Sequence, residues 1–355
     1  MRYALQPLQA LVTEIFTAAG CEPTEAACIS DHLVQANLTG HDSHGVIRTP
    51  IYVQWLKDGK VRANQQAKIV FETDAIAVID GGMGFGQPIA QQAMEIGIAK
   101  AKKSGVAVVA LRNTGHVGRV GHWAELIVNA GLISLHFVNT SGLGMLVAPV
   151  GGINRRLSAN PVAVGIPVAD GEPIIYDIST SSVAEGKLKV AFNKGVMVPE
   201  GCIIDSTGQP TCDPKVFYAD PPGAILPFGG YKGYGLGIVT EILAGALTGS
   251  GCTVPGKTQL EQGMLSILLD PATFQVGDEL PAEARRFVDF VKSSEKVSPD
   301  AEILMPGDIE RRNRAERTAK GIELDDKTWS QIEGVAAAMK VSADLLAKAK
   351  GHRPA

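Results

Sequence analysis

The sequence predicts an α/β protein, a body of strands and helices joined by a helical lobe that both ends of the chain supply. Three observations lead there. Residues 1–65 and 310–355 read as charged, amphipathic helical text. Between them, across 66–309, short β-branched runs alternate with helical stretches. Forty glycines in 355 residues call for many tight turns and close backbone approaches.

Taken in order, Leu5, Leu8, Leu11, Val12, Ile15 and Phe16 recur at helical spacing until Gly20 stops the run. A second stripe follows Pro23 and Thr24, through Ala27, Ile29, Leu33 and Val34 to Gly40. A third helix is expected from Ser43 to Gly59, with Pro50 close enough to its start to be tolerated. "AKIVFET" and "AIAVID" read as a pair of short strands. "QPIAQQAMEIGIAKAKKSG" is a helix closed by lysines and a glycine, which suit a helix C-terminus. "VAVVALR", "LISLHFV" and "PIIYDIS" have strand length, and "HWAELIVNAG" is a helix between the first two. "YGLGIVTEILAGALTG" is a small-residue helix expected to be buried. "RNRAERTAKG", "DDKTWSQIEGVAAAMK" and "SADLLAKAKG" close the chain as helices.

Composition narrows the function. A formal charge of −4 gives no basic footprint, so nucleic acid is not an expected partner. No apolar run reaches membrane-spanning length, and the N-terminal "MRYALQPLQALVTEIF" is amphipathic where a signal peptide would be uniformly apolar. Five cysteines, an odd number with no C-x-x-C pair, fit neither a disulfide framework nor a zinc site. They fit a reducing cytoplasm.

Two polar clusters stand out. In "GHDSHGVIRTP" a helix beginning near Ser43 would project His44, Arg48 and Tyr52 from one face. An imidazole can pass a proton near neutral pH, and a guanidinium holds a carboxylate by two parallel hydrogen bonds. One turn apart, they suit a substrate whose carboxylate adjoins a carbonyl, with Ser43 or Asp42 fixing the imidazole tautomer. The plainer alternative is a capped helix start with a surface His and Arg. The second cluster, "NTGHVGRVGHWAE", follows a strand and precedes a helix, a place where α/β folds bind ligands. Its alternative is a glycine-rich turn around a packed histidine. Neither "GGMGFGQ" nor "GYGLG" has the G-x-G-x-x-G spacing, so a standard Rossmann site is not supported. No histidine pair has H-E-x-x-H spacing, and no metal site is expected.

The motifs "DSHGVIR", "NTGHVGRVGHWAE", "SANP", "DISTSSVAEGK", "GGYKGYGL" and "MPGDIERR" occur in one order along the whole chain. By them the sequence resembles the malate/L-lactate dehydrogenase family that is unrelated to Rossmann-type lactate dehydrogenases, and within it the hydroxycarboxylate dehydrogenases. The resemblance implies a non-Rossmann fold, a mixed and largely antiparallel sheet wrapped by helices. It implies NAD or NADP as cofactor and a homodimer with active sites near the subunit interface; by the division above, 66–309 is expected to be the dinucleotide-binding and catalytic domain. It assigns His44 as proton donor with Ser43 in its relay, Arg48 as carboxylate clamp, and His116 as the rival acid/base. Cofactor contacts would fall on His116, Val117, Gly118, Arg119 and Val120, on Asp177, Ile178 and Ser179, on Gly229, Gly230 and Lys232, and on Pro306, Gly307, Arg311 and Arg312.

The chain departs from the family's common motifs in two places. Ser158-Ala159-Asn160-Pro161 replaces G-T-N-P, so Ala159 lacks a hydroxyl at a substrate-contacting position. Asp177-Ile178-Ser179-Thr180-Ser181 replaces D-M-A-T-S. Both bear on which acid is used. Lys187 and Lys232 are cations for phosphate or substrate, or else solvated, while Arg119, Arg311 and Arg312 are candidates for a 2′-phosphate. The expected reaction interconverts a 2-hydroxy acid and a 2-oxo acid by hydride transfer. The alternative is reduction of cyclic or N-alkyl 2-imino acids, as in a piperideine-2-carboxylate reductase.

Overall fold

The computed structural model describes residues 1–351. β1 (Arg2–Tyr3) leads into α1 (Leu5–Ala18), α2 (Pro23–Leu38) and α3 (Thr49–Lys57). β2 (Lys68–Glu72) and β3 (Ile76–Gly84) form a hairpin, and α4 (Gly86–Ser104) crosses to β4 (Val106–Thr114). α5 (Val120–Asn129), β5 (Ile133–Ser141), β6 (Val162–Ile166), β7 (Ile174–Ile178) and α6 (Glu185–Lys194) come next. Three short strands follow, β8 (Ile203–Ile204), β9 (Pro210–Thr211) and β10 (Ala224–Ile225), and then α7 (Tyr231–Glu241). β11 (Glu261–Leu269), α8 (Glu279–Lys292), α9 (Asp308–Lys320), β12 (Ile322–Glu323), α10 (Asp326–Ala338) and α11 (Ala343–Gly351) complete the described chain.

Seven strands make the main sheet, in the order β2-β3-β4-β11-β5-β6-β7. Only β3 and β4 are parallel, because α4 carries the chain back across the sheet between them. Every other neighbouring pair is antiparallel. The expected mixed, largely antiparallel sheet flanked by helices is therefore the one observed. α4 and α5 cover one face, where Ile89, Met94, Trp123 and Ile127 bury against Val109, Leu111, Met264 and Leu268. Each fully buried aliphatic side chain contributes roughly 1.5–3 kcal/mol there.

A second core joins the chain's two ends. Leu8, Phe16, Leu33 and Tyr52 from the first three helices pack with Trp329 and Ile332 of α10. β1 pairs antiparallel with β12, and Tyr3 stacks on Trp329 with ring centroids 4.2 Å apart. Residues 352–355, the tail of the expected terminal lobe, lie outside the described residues.

The structure corrects three sequence expectations. The helix expected from Ser43 is broken: Asp42–His44 and Val46–Arg48 are two 3₁₀ turns separated by extended Gly45, and the α-helix begins only at Thr49. Pro50, with no N–H to lose, sits in the first turn of that shorter helix, where the donor would be unused. The expected burial of residues 234–249 holds on one side only. Gly237 faces Thr180 and Gly245 faces Asn139, while Val239, Ile242 and Leu247 are exposed. The small residues face inward, so the bulky ones turn outward, and the helix continues past α7 as a π-helical stretch, Ile242–Leu247. Finally, β6 and the central β11 are strands that the sequence reading does not name, as are helices α6 and α8.

Among the described residues, no helix is long and apolar enough to cross a membrane. None of their His, Cys, Asp and Glu side chains form a group of three able to hold a metal ion.

His136 lies fully buried in β5 with Ser266 on Nδ1 and nothing on Nε2, and burial pushes its pKa down to about 3. His32 in α2 is also held neutral, well below the ordinary range, chiefly by burial. Both pKa values are lower folded than unfolded, so between about pH 6.5 and the folded value the unfolded chain binds the extra proton. Stability is therefore expected to fall as pH drops below about 6.5, by about 2 kcal/mol per histidine between pH 7 and pH 5. Urea unfolding at pH 7, 6 and 5 checks this. His136→Gln should flatten the slope by one proton, and a slope unchanged in the variant would refute the assignment.

Candidate active site

The site is built where α2 ends. Gly40, with φ +89°, turns the chain away from the helix, and Asn37 catches it again. Its side-chain nitrogen donates to Asp42 Oδ1 at 2.7 Å, and its oxygen accepts the Val46 N–H at 2.8 Å. A Cβ on Gly45 would lie 2.2 Å from that oxygen, so only glycine lets the break close on the asparagine. Arg317 of α9 donates to Asp42 and to the Asn37 carbonyl, and His41 meets Glu310 at 3.3 Å. The segment carrying Ser43, His44 and Arg48 is thereby clamped to α2 and α9.

The broken helix still brings the expected side chains together. Ser43 Oγ lies 3.0 Å from His44 Nδ1, and Arg48 Nε donates to the Ser43 carbonyl at 2.6 Å. The rest of the Arg48 guanidinium makes no ion pair with any described residue. His116, from the loop after β4, stacks on His44 with centroids 5.3 Å apart and an interplanar angle of 25°. Asp42, the second possible partner for the His44 ring, is instead engaged by Asn37 and Arg317.

Tyr52 is fully buried, and its hydroxyl meets His116 Nδ1 at 2.6 Å and accepts from Gln87 Nε2 at 3.1 Å. The Gly118 N–H, which can only donate, also points at His116 Nδ1, at 3.3 Å. Nδ1 is therefore the bare nitrogen, Tyr52 donates to it, and Nε2 carries the proton. Burial pushes the Tyr52 hydroxyl up to about 12, so it keeps its proton. Burial first, and then the Arg48 charge, push His116 down to about 3. His44 is held neutral by burial, by His116 and by Arg48, in that order.

The segments expected to hold a cofactor converge on β7, the edge strand. Gly121 N–H, in the first turn of α5, donates to Asp177 Oδ2 at 2.9 Å. Phe228 N–H donates to the Thr180 carbonyl, which ties the segment leading into Gly229, Gly230 and Lys232 to the chain just after β7. Ile175 N–H donates to the Pro306 carbonyl, and Gly307 packs on Ile175. Ile178 completes β7, and Ala159 accepts Thr180 N–H and Oγ1 through its carbonyl, so it sits on this side of the site. Val117 and Val120 are buried in the core under α5, with the Val117 N–H on Gln262 Oε1 at 2.7 Å.

The three arginines considered for a 2′-phosphate are all occupied. Arg119 is turned inward, 3% exposed, and paired with Glu125. Arg311 is held by Asp308 at 2.6 Å, and Arg312 pairs with Glu302. Lys187 and Lys232 are exposed and make no ion pair with described residues. At the start of α7, Gly229 and Gly230 have positive φ, no side chain caps the helix, and no atom lies within 4 Å of a Cβ built on Gly230. An open, uncapped helix start beside a lysine fits a diphosphate. A half-open cavity of about 280 Å³ beside β7 is lined by Ile174, Val288 and Met305 together with Arg285, Lys292 and Asp308.

Sequence reasoning missed Asn37, Gln87, His32 and Gln262. Gln87 had a visible signal in "GGMGFGQ". A Cβ on Gly86 would lie 2.3 Å from the His116 carbonyl, so that glycine lets α4 press on the His116 loop. His32 Nε2 accepts the Arg119 N–H at 2.9 Å and supports the same loop from the other side.

A family model described as malate/L-lactate dehydrogenase matches residues 3–333. Hydroxycarboxylate dehydrogenase B of Escherichia coli O157:H7 is 41% identical over 336 residues, 93% of this chain and 92% of that one. L-sulfolactate dehydrogenase of Methanothermobacter thermautotrophicus is 37% identical over 351 residues, 97% of this chain and 99% of that one. The solved structure of sulfolactate dehydrogenase from Methanocaldococcus jannaschii superposes with a TM-score of 0.86 at 35% identity, covering 97% and 99% of the two chains.

The Tyr52 hydroxyl stabilises neutral His116, so Tyr52→Phe should raise the His116 pKa from its depressed value. Nitrogen-15 NMR across a pH titration reads the ring directly, and an unmoved midpoint would show that Tyr52 does not set the tautomer.

Proposed function

The chain belongs to the malate/L-lactate dehydrogenase family, and from that premise we propose that it interconverts a 2-hydroxy acid and a 2-oxo acid with NAD(H) or NADP(H) as cofactor. The observation that carries the reading is the free Arg48 guanidinium beside two stacked, neutral imidazoles. NADH or NADPH supplies the hydride when bound, and the groups along β7 suit it: the open start of α7 with Lys232 for the diphosphate, and the cavity by Met305 for the adenosine. Arg119, Arg311 and Arg312 pair with carboxylates, and Arg285, Lys292 and Arg311 line the cavity by Met305, so the reading covers NADH and NADPH alike.

Arg48 takes the substrate carboxylate in two parallel hydrogen bonds and so sets the adjoining carbonyl against the imidazoles. His116, locked as the Nε2–H tautomer, donates a hydrogen bond to the carbonyl oxygen without giving up its proton. Protonating its Nδ1 would oppose the Gly118 N–H, so His44 is the acid/base. Its Nδ1–H can be accepted by Ser43 Oγ, which leaves Nε2 for the substrate oxygen. Burial, His116 and Arg48 hold His44 neutral, the form needed to take a proton from the hydroxy acid. A bound carboxylate offsets the Arg48 charge, raises the proton affinity of His44 and prepares it to protonate the oxo acid. Ala159, where the family commonly has threonine, leaves room for a substrate side chain near Thr180.

We assign a homodimer, with Val239, Ile242 and Leu247 on the face that meets the second copy. Five free thiols and no membrane-spanning helix among the described residues fit a cytoplasmic enzyme.

Oxidation of NADH and NADPH is measured against pyruvate, oxaloacetate, phenylpyruvate, 2-oxoglutarate and piperideine-2-carboxylate. His44→Ala should lower kcat for the oxo acids by about 10²–10⁴-fold. Arg48→Ala should abolish saturation with every acid, and Arg48→Lys should not restore it, because an ammonium lacks the planar fork. An imine arrives already protonated, so turnover that survives His44→Ala only with piperideine-2-carboxylate would favour imine reduction. Activity indifferent to Arg48 would sink the site.

A further inference from the structure

α6 seats its first turn against the Ser43–His44 turn. A Cβ built on Gly186 would lie 2.5 Å from Ser43 Cβ and 3.4 Å from Ser43 Oγ. The nearest atom is bonded directly to the Ser43 backbone, so no rotation of the Ser43 side chain relieves the overlap. The turn cannot retreat either. Behind it Asn37 holds Asp42 and Val46, Arg317 holds Asp42, and Glu310 holds His41. Alanine is the better helix former by about 1 kcal/mol, so glycine is the residue that helix stability alone would not choose here.

We propose that Gly186 is a positioning residue for the proton donor: its bare Cα lets α6 seat on Ser43, and that seating holds Ser43 Oγ against His44 Nδ1. This rests on the assignment of His44 as acid/base. A side chain at 186 lifts α6 or twists the 3₁₀ turn, and in either case the 3.0 Å Ser43–His44 contact opens. The imidazolium then loses the acceptor on Nδ1, so it forms less readily. Other titratable and charged groups face His44 and stay in place: His116 and Arg48 beside it, His41 and Arg119 farther off, and Asp42, Glu310 and Arg317 behind the turn. Within α6 itself, Glu185 is engaged by the Tyr218 hydroxyl and Lys187 is exposed.

The test is a double-mutant cycle on the intact enzyme with its best oxo acid, comparing Gly186→Ala, Ser43→Gly and the pair. Ser43→Gly removes both the hydroxyl and the Cβ that alanine would strike. Gly186→Ala is expected to lower kcat by about 10²-fold with KM little changed, and to move the reduction optimum to lower pH. In the Ser43→Gly background the same substitution should change nothing further. Val190→Ala, on the exposed side of α6, should behave as wild type, and thermal unfolding confirms that each variant folds. Full activity in Gly186→Ala, or losses that multiply in the double variant, would overturn the proposal. His44→Ala run in parallel separates the two claims. Activity that survives it removes the His44 assignment, and the proposal with it. Activity lost in His44→Ala together with multiplying losses in the cycle removes only the role of Gly186.

Discussion

Everything at the site depends on one buried asparagine. Asn37 is 1% exposed, and its amide does the work that helix hydrogen bonds would otherwise do across the break at Gly45. A continuous helix from Ser43 would turn His44 and Arg48 outward on one face, four residues apart, with their backbone groups satisfied locally. The double 3₁₀ turn instead folds the backbone so that Arg48 reaches back to the Ser43 carbonyl while His44 stacks on His116. The arrangement needs a partner for each freed backbone group, and Asn37 supplies one for Val46 from a helix already fixed in the terminal core. The site is therefore held in place through the core in which the two chain ends meet.

The chemistry-bearing residues were legible in the sequence, but their geometry was not. Ser43, His44, Arg48 and His116 stand out in the sequence as polar residues beside glycines. The i, i+4 argument places His44 and Arg48 on one continuous helix, whereas the structure brings them together through two 3₁₀ turns, because nothing local distinguishes a glycine that breaks a helix from one that a helix tolerates. What decides at Gly45 is the asparagine side chain 2.2 Å from where its Cβ would be, a tertiary fact. The fold shows the same division. Strands flanked by helices and turn residues were readable from pattern, whereas β11, buried on both sides at the sheet's centre, is a short apolar run whose pattern does not separate strand from buried helix. The helix over 234–249 was read as buried from its glycines. Small residues mark where backbone approaches closely, and on a helix that is one face, so the opposite face was left to Val239, Ile242 and Leu247.

Desolvation and a single cation set the electrostatics. His44 and His116 lie where burial disfavours the charged ring, and Arg48 adds to that penalty because nothing in the described protein neutralises it. An unpaired guanidinium next to two imidazoles is a poor arrangement for stability and a good one for binding an anion. Under the proposed function that anion is the substrate carboxylate, and its arrival would remove part of what keeps the imidazoles neutral. The two histidines differ in what their second nitrogen can accept. Ser43 offers His44 a hydroxyl that can either donate or accept, so both protonation states of that ring are satisfied. His116 faces a backbone N–H that can only donate, so one state is favoured. Two rings in near-parallel contact thus differ in which protonation states their far-side partners can satisfy.

The same logic explains why glycine crowds the site and not merely its turns. Gly45, Gly86, Gly118 and Gly186 lie in four different segments, yet a Cβ on each would meet Asn37, His116, His32 and Ser43 respectively, at 2.5 Å or closer. Only Gly118 among them has a φ that glycine alone adopts readily. The other three are demanded by proximity, because a polar group must lie against backbone with nothing between. A site made of short hydrogen bonds between separate segments requires those segments to touch, and glycine is what permits contact at that distance. Glycine spacing in this chain carries no dinucleotide fingerprint, and what stands opposite each glycine is the informative quantity.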